Sequence, residues 1–134
     1  PSSAASDVYK RQFYNWALRS GSCHRSPLHM LVHQRNGLLL SLRGALAVTE
    51  QLGQTIFDAP PCDSCLTKPC LQACPVSAFD AIGYDADMCQ THISTNDSTN
   101  CLTTGCTARH ACPISQRAER SAAQSAFHMR AFLK

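Results

Sequence analysis

Apolar positions are spread unevenly along the chain, and their spacing changes character as it proceeds. Residues 1–12 (PSSAASDVYKRQ) are largely polar and show no apolar period, whereas Phe13, Trp16 and Ala17 recur at helical spacing and predict a short helix, ended by Ser20-Gly21-Ser22. Two apolar-rich runs follow, with Gln34-Arg35-Asn36-Gly37 between them. Asn and Gly both tolerate positive φ, so this pattern predicts a β-hairpin with strands near 29–34 and 38–43. A polar linker, Glu50 to Gln54, and the breaker Asp58-Ala59-Pro60-Pro61 come next. Residues 13–58 are therefore expected to form an N-terminal helix and β-hairpin layer, with a domain boundary before residue 59.

Beyond that boundary the pattern is loop, short helix, stop, given twice. Pro69 suits a helix start, where its missing N–H costs little, and Pro75 ends the turn that carries Cys70 and Cys74. Asp85-Ala86-Asp87 is expected to cap a helix carrying Cys89 and His92. Asn96 to Asn100 reads as a polar loop, and Cys106 to Cys112 as another short helix stopped by Pro113. From Ser115 to Leu133 the spacing predicts one longer helix, with Ala118, Ala122, Ala126 and Met129 along a small-residue stripe and Arg117, Arg120 and Arg130 on the rest. The expected class is α+β: a compact domain of short helices and loops over 59–115, the hairpin layer before it, and a C-terminal helix over 116–134.

Composition narrows the possibilities. The apolar share is 44% with few aromatics, which permits only a small core, so an inorganic or covalent staple is expected to help. A net charge of +3 is modest, and no nucleic-acid argument rests on it. The longest apolar run, Leu38 to Leu40, is far too short for a membrane span, and no secretory signal is evident. Residues 1–12 resemble a translated adapter scar, which would place the native start upstream; the alternative is a natural disordered tail.

Nine cysteines in 134 residues demand a chemical reason. Eight lie in one stretch: Cys62-x2-Cys65-x4-Cys70-x3-Cys74-Pro75, then Cys89, then Cys101-x4-Cys106-x5-Cys112-Pro113. Its corners repeat, since Ala73-Cys74-Pro75-Val76-Ser77 returns as Ala111-Cys112-Pro113-Ile114-Ser115. Two Cys-Pro corners, each closing a cysteine group, are the layout of a protein with two iron–sulfur clusters. Cys74 follows Cys70 by one helical turn and is displaced along the axis, which is why the fourth cysteine of such a run goes to the other cluster. The spacing thus predicts two 4Fe–4S clusters, one held by Cys62, Cys65, Cys70 and Cys112 and the other by Cys74, Cys89, Cys101 and Cys106. Two features depart from the simplest bacterial run: four residues, not two, separate Cys65 from Cys70, and the second group is stretched.

Zinc and disulfides compete for the same residues. Zinc favours two close pairs, and only Cys62/Cys65 forms one. A disulfide scaffold is disfavoured by the odd count and the lack of a secretory signal, which point to a reducing cytoplasm. Cys23, beside His24, reads as a lone thiol rather than a nucleophile, because no orienting third group is evident. His92 and His110 read as solvated helix residues before cluster-tuning donors, and Trp16, Phe79 and Tyr84 as packing, with Tyr84 covering the cluster region.

Residues 62–113 resemble a dicluster bacterial-type ferredoxin domain. More particularly, residues 26–115 resemble the ferredoxin-type region of epoxyqueuosine-reductase-like proteins, in which a hairpin precedes a CxxC…CxxxCP run, an isolated cysteine follows (here Asp87-Met88-Cys89), and a second Cys-Pro closes the region. The Ala126 to Arg130 tail, AFHMR, is similar to that of short stand-alone bacterial ferredoxins. The resemblance implies single-electron transfer through two 4Fe–4S clusters by a carrier that is not itself an enzyme, with a reductase and an acceptor as redox partners. The chain has no room for the cobalamin-binding catalytic domain of those reductases, so their activity is not implied. The alternatives are an electron-input fragment of a larger oxidoreductase and a zinc-stabilised interaction domain.

Overall fold

The computed structural model describes residues 12–53 and 59–133, so the expected tail and much of the expected boundary near 58/59 lie outside the described residues. Within them the chain is α+β, a two-stranded antiparallel sheet followed by short helices. Helix α1 covers 12–19. It buries Ala17 and ends where the Ser20 hydroxyl donates to the Ala17 carbonyl at 2.7 Å.

Strand β1 (Cys23–Arg25) pairs with β2 (Leu31–His33) in the register Cys23↔His33, His24↔Val32, Arg25↔Leu31. The predicted hairpin is therefore corrected: its first strand is present in part, but its partner lies upstream, and residues 38–43 form no strand. The Asn36-Gly37 turn does form, since His33 and Gly37 exchange both backbone hydrogen bonds at 2.9 Å. The ladder stops there because other partners hold the backbone of Leu38. Its N–H donates to Ser115 Oγ at 2.8 Å, and its carbonyl accepts from Arg109 Nε at 2.8 Å.

Helix α2 (Pro69–Gln72) begins on its proline, after Lys68 in the left-handed region. Helix α3 (Ala86–Thr95) is capped by Asp85, whose side chain accepts from the Met88 amide at 2.8 Å. A turn of helix absent from the sequence reading, α4 (Cys101–Thr104), follows the polar loop. Asp97 accounts for it, because its two carboxylate oxygens accept from the amides of Cys101 and Leu102 at 2.7 and 2.8 Å. Helix α5 (Thr107–His110) carries the second repeat.

The single helix expected from Ser115 to Leu133 is also corrected. A 3-10 turn over Ser115–Arg117 ends with Ala118 extended, and α6 (Ala122–Phe132) starts afresh. Two serines explain the break. Ser121 caps α6 by accepting from the Gln124 amide at 3.1 Å, while the Ser115 hydroxyl is engaged by Leu38.

The core joins the two layers. Leu28, Val32 and Leu38 pack in one cluster with Cys70, Phe79, Ala108 and Cys112. A second cluster gathers Ile93, Cys101 and Met129, with Leu102 and Phe132 against it. Cysteine side chains thus supply much of the buried apolar surface of a chain poor in large residues.

Candidate metal centre

The two Cys-Pro repeats pack on each other through α2 and α5, and the Thr107 hydroxyl donates to the Ala73 carbonyl at 2.9 Å between them. That contact lets each repeat deliver a cysteine toward the other's group. Cys62, Cys65, Cys70 and Cys112 line one cavity of about 470 Å³, together with Pro61, Pro69 and Val32 among others. Burial pushes the Cys62 thiol up to about 11, helped by the neighbouring charges of Cys112, Cys70 and Cys65, and of Asp63. Cys70 is also raised, by burial first and then by Cys112 and Cys65, while the amides of Leu71 and Cys70 itself work against the rise. Cys112 thus stands with the group encoded some forty residues earlier, lining its cavity and acting on both Cys62 and Cys70.

The other four cysteines are linked through Cys89 and Cys106, both of which feel Cys101, with Cys74 also acting on Cys89. Cys89 is raised by burial first, is opposed by a hydrogen bond from the Tyr84 hydroxyl, and is raised further by Cys74, Cys101 and Asp97. Burial of Cys106 raises it too, with Cys101 adding and the amides of Arg109 and Ala108 opposing. Tyr84 is raised by burial, by its bond to Cys89 and by the charges of Cys89, Cys106 and Cys74, which places it against three thiols of this group.

Donors reach several of these sulfurs. The Ala78 amide donates to Cys74 Sγ at 3.3 Å, and Thr99 Oγ1 lies 3.1 Å from Cys101 Sγ. Such bonds favour negative charge on sulfur. Tyr84 is fixed for its part by stacking on Phe79 (centroids 4.7 Å, planes 14° apart) and by a tilted contact with Phe132 at 6.2 Å. Sequence reasoning assigned Tyr84 to cover but missed the hydroxyl's bond to Cys89. A tyrosine five positions before the isolated cysteine was the available signal.

The histidines differ from expectation. His110 is half-buried rather than solvated, with Nε2 at 3.5 Å from Ser125 Oγ and packed against Gly105. Among the described residues, the buried His92 Nε2 has no hydrogen-bond partner. Cys23 is buried on β1, and its thiol is raised by burial alone, so no other cysteine joins it.

Donor chemistry and cavity fit an iron–sulfur core. Four thiols line one space wider than a single ion, and those of Cys62 and Cys70, raised by burial, would give up their protons to a metal's charge. Among the described residues no group of three or more His, Cys, Asp or Glu side chains is arranged to hold a metal ion directly. No family model, curated protein or solved structure matches the chain.

Proposed function

We propose that this chain is an iron–sulfur electron-transfer protein of the dicluster ferredoxin type, working in the cytoplasm between a reductase and an acceptor. Cys62, Cys65, Cys70 and Cys112 would hold one 4Fe–4S cluster, and Cys74, Cys89, Cys101 and Cys106 the other. The observation that carries this reading is the crossing of the groups, with Cys112 lining the cavity of the first three cysteines while Cys74 acts on Cys89. A zinc site asks for four donors about 2.3 Å from one ion, a tight convergence. Four thiols lining a cavity suit a body whose corners are separate iron atoms, each taking one thiolate.

When bound, the clusters supply one-electron chemistry without bond making. The chain's own contribution is electrostatic and steric. Amide and hydroxyl donors at Cys74, Cys89, Cys101 and Cys106 would stabilise the more negative, reduced state, and the N-terminal layer with Val32 and Leu38 would shield the first cavity from water. Exposed Leu66, 92% accessible beside Cys65, and half-exposed Met88 beside Cys89 put apolar contact surface next to both groups. A redox partner docking there would come close to either centre.

Anaerobic reconstitution tests the proposal: about eight iron and eight sulfide per chain are expected, with thiolate–iron absorption in the visible region. Bound zinc with no labile sulfide would overturn it.

A further inference from the structure

Arg109 holds the carbonyls of Leu38 and Leu40, and beyond that anchor the chain has no internal partner. Every residue from 41 to 53 is exposed, and none of them makes a hydrogen bond to another described residue. Residues 41–48 carry no helix, turn or strand, and a bend follows at Thr49-Glu50. The sequence is nonetheless that of a strand. Leu40, Leu42, Leu46, Val48 and Leu52 fall at even positions, with Ser41, Arg43, Thr49 and Gln51 among those between. Leu46 is 95% accessible and Leu52 71%, so the apolar side of this pattern faces solvent.

An unpaired edge of this length and apolarity is a template for another strand. Its own residues say which strand fits. Laid antiparallel on a second copy about Ala47, the centre of the exposed run, it sets Leu42 opposite Leu52 and Leu46 opposite Val48, and the twofold axis gives each pair twice. Gly44 then faces Glu50 and Arg43 faces Gln51, so no like charges are opposed. The register is specific. A shift by one residue lays the apolar side of one copy over the polar side of the other, and a shift by two in either direction sets Leu42 or Leu46 against Glu50.

The surface beside the edge suits the same occupant. An open groove of about 460 Å³ is lined by Phe13, Tyr14, Met30, Leu31, Leu40 and Leu42 among others. Leu42 is thus both a rung of the ladder and part of the groove wall. The second copy's Leu52, lying opposite Leu42, has this apolar space to enter.

We propose that residues 41–53 form an antiparallel two-stranded interface with a second copy of this chain, centred on Ala47. Pairing straightens the bend at Thr49-Glu50, and the backbone groups that lack partners in the single chain close the ladder. The dimer does not depend on iron or sulfide and stands apart from the electron-transfer reading.

Sedimentation equilibrium of the full chain over a range of concentrations tests this, with the protein kept reduced so that its thiols form no cross-links. A reversible two-chain species is expected. Leu46→Glu should weaken it about tenfold or more, because the twofold axis puts the charge into the apolar side of the ladder twice. Val48→Lys should act alike. Both changes in one chain set each Glu opposite a Lys of the other copy, and that double variant should associate about fivefold or more tightly than either single one. Ile82→Glu, at an equally accessible position outside the run, should change association less than about twofold. A single-chain species at every concentration would overturn the proposal and leave the edge to a strand of another protein. Association that survives Leu46→Glu, or that the paired charges fail to restore, would overturn it as well, by showing apolar contact without register.

Discussion

The backbone amide of Leu38 donates to the hydroxyl of Ser115 over 2.8 Å, joining positions 77 apart in the chain. Ser115 closes the second Ala-Cys-Pro repeat, so the N-terminal layer is tied to the same turn that delivers Cys112. Gly37 makes the approach possible. A Cβ on it would sit 2.4 Å from the Ser115 nitrogen and 2.9 Å from its Cα, and its φ of +56 already disfavours a side chain.

Gly37→Ala should therefore destabilise the fold by about 2–4 kcal/mol, from left-handed backbone cost and an overlap with backbone that cannot move aside. Ser115→Ala, which leaves a buried amide without an acceptor, should cost about 1–3 kcal/mol. Denaturant midpoints of the two variants check both values. Equal stability of Gly37→Ala and the parent would mean that the layer does not dock as described.

The proposed crossing of the cysteine groups gives a spectroscopic prediction. Cys62→Ala and Cys112→Ala should leave the same residual centre, and Cys74→Ala should match Cys106→Ala. Each variant should retain about four iron per chain rather than about eight. Electron paramagnetic resonance of the reduced proteins would show the pairs. A Cys112→Ala spectrum like that of Cys106→Ala would mean that each motif serves its own centre.

Much of this arrangement was legible in the residues, and what was not has a physical cause. Cys112 was expected beside Cys62, Cys65 and Cys70 because the last cysteine of such a run lies a helical turn along and faces the other group, and these four line one cavity. The start of α3 was readable from Asp85 for a reason equally local. The hairpin was misjudged because Asn36-Gly37 specifies a turn but not what the following strand pairs with. Arg109 and Ser115, some seventy residues away, take the hydrogen bonds that a partner strand would have used. The break before α6 was missed likewise. Ser115 looked like a helix cap until its hydroxyl proved to be engaged elsewhere, and Ser121 supplies the cap instead. The cavity shared by Cys62, Cys65, Cys70 and Cys112, and the approach of the Tyr84 hydroxyl to Cys89, exist only once the two repeats have packed.

Apo-protein stability should fall in alkali. The Cys62 thiol has a folded value of about 11 against an ordinary 9.0, so the native state favours the protonated form. Its stabilising share is fully present below pH 9 and is lost as pH rises from there through about 11. Cys70 shifts in the same direction and adds to the effect. Thermal midpoints of the metal-free chain should decline over that window, and the decline should shrink in Cys62→Ala. Iron loading needs thiolates and releases protons, so it should strengthen as pH is raised toward 9.

Tyr84 offers the sharpest probe of the second group. Its ring is held by Phe79, and its hydroxyl reaches Cys89, so Tyr84→Phe removes one hydrogen bond and keeps the stack. The bond favours negative charge on the Cys89 sulfur, and a reduced centre carries one more negative charge than an oxidised one. Its removal should lower the potential of one centre by about 20–60 mV, on the scale where 59 mV is tenfold for one electron, and leave the other unchanged. Potentiometric titration followed by electron paramagnetic resonance would resolve the two. Equal movement of both centres, or of the one that Cys106→Ala abolishes remaining fixed, would show that the tyrosine bond does not act where the structure puts it.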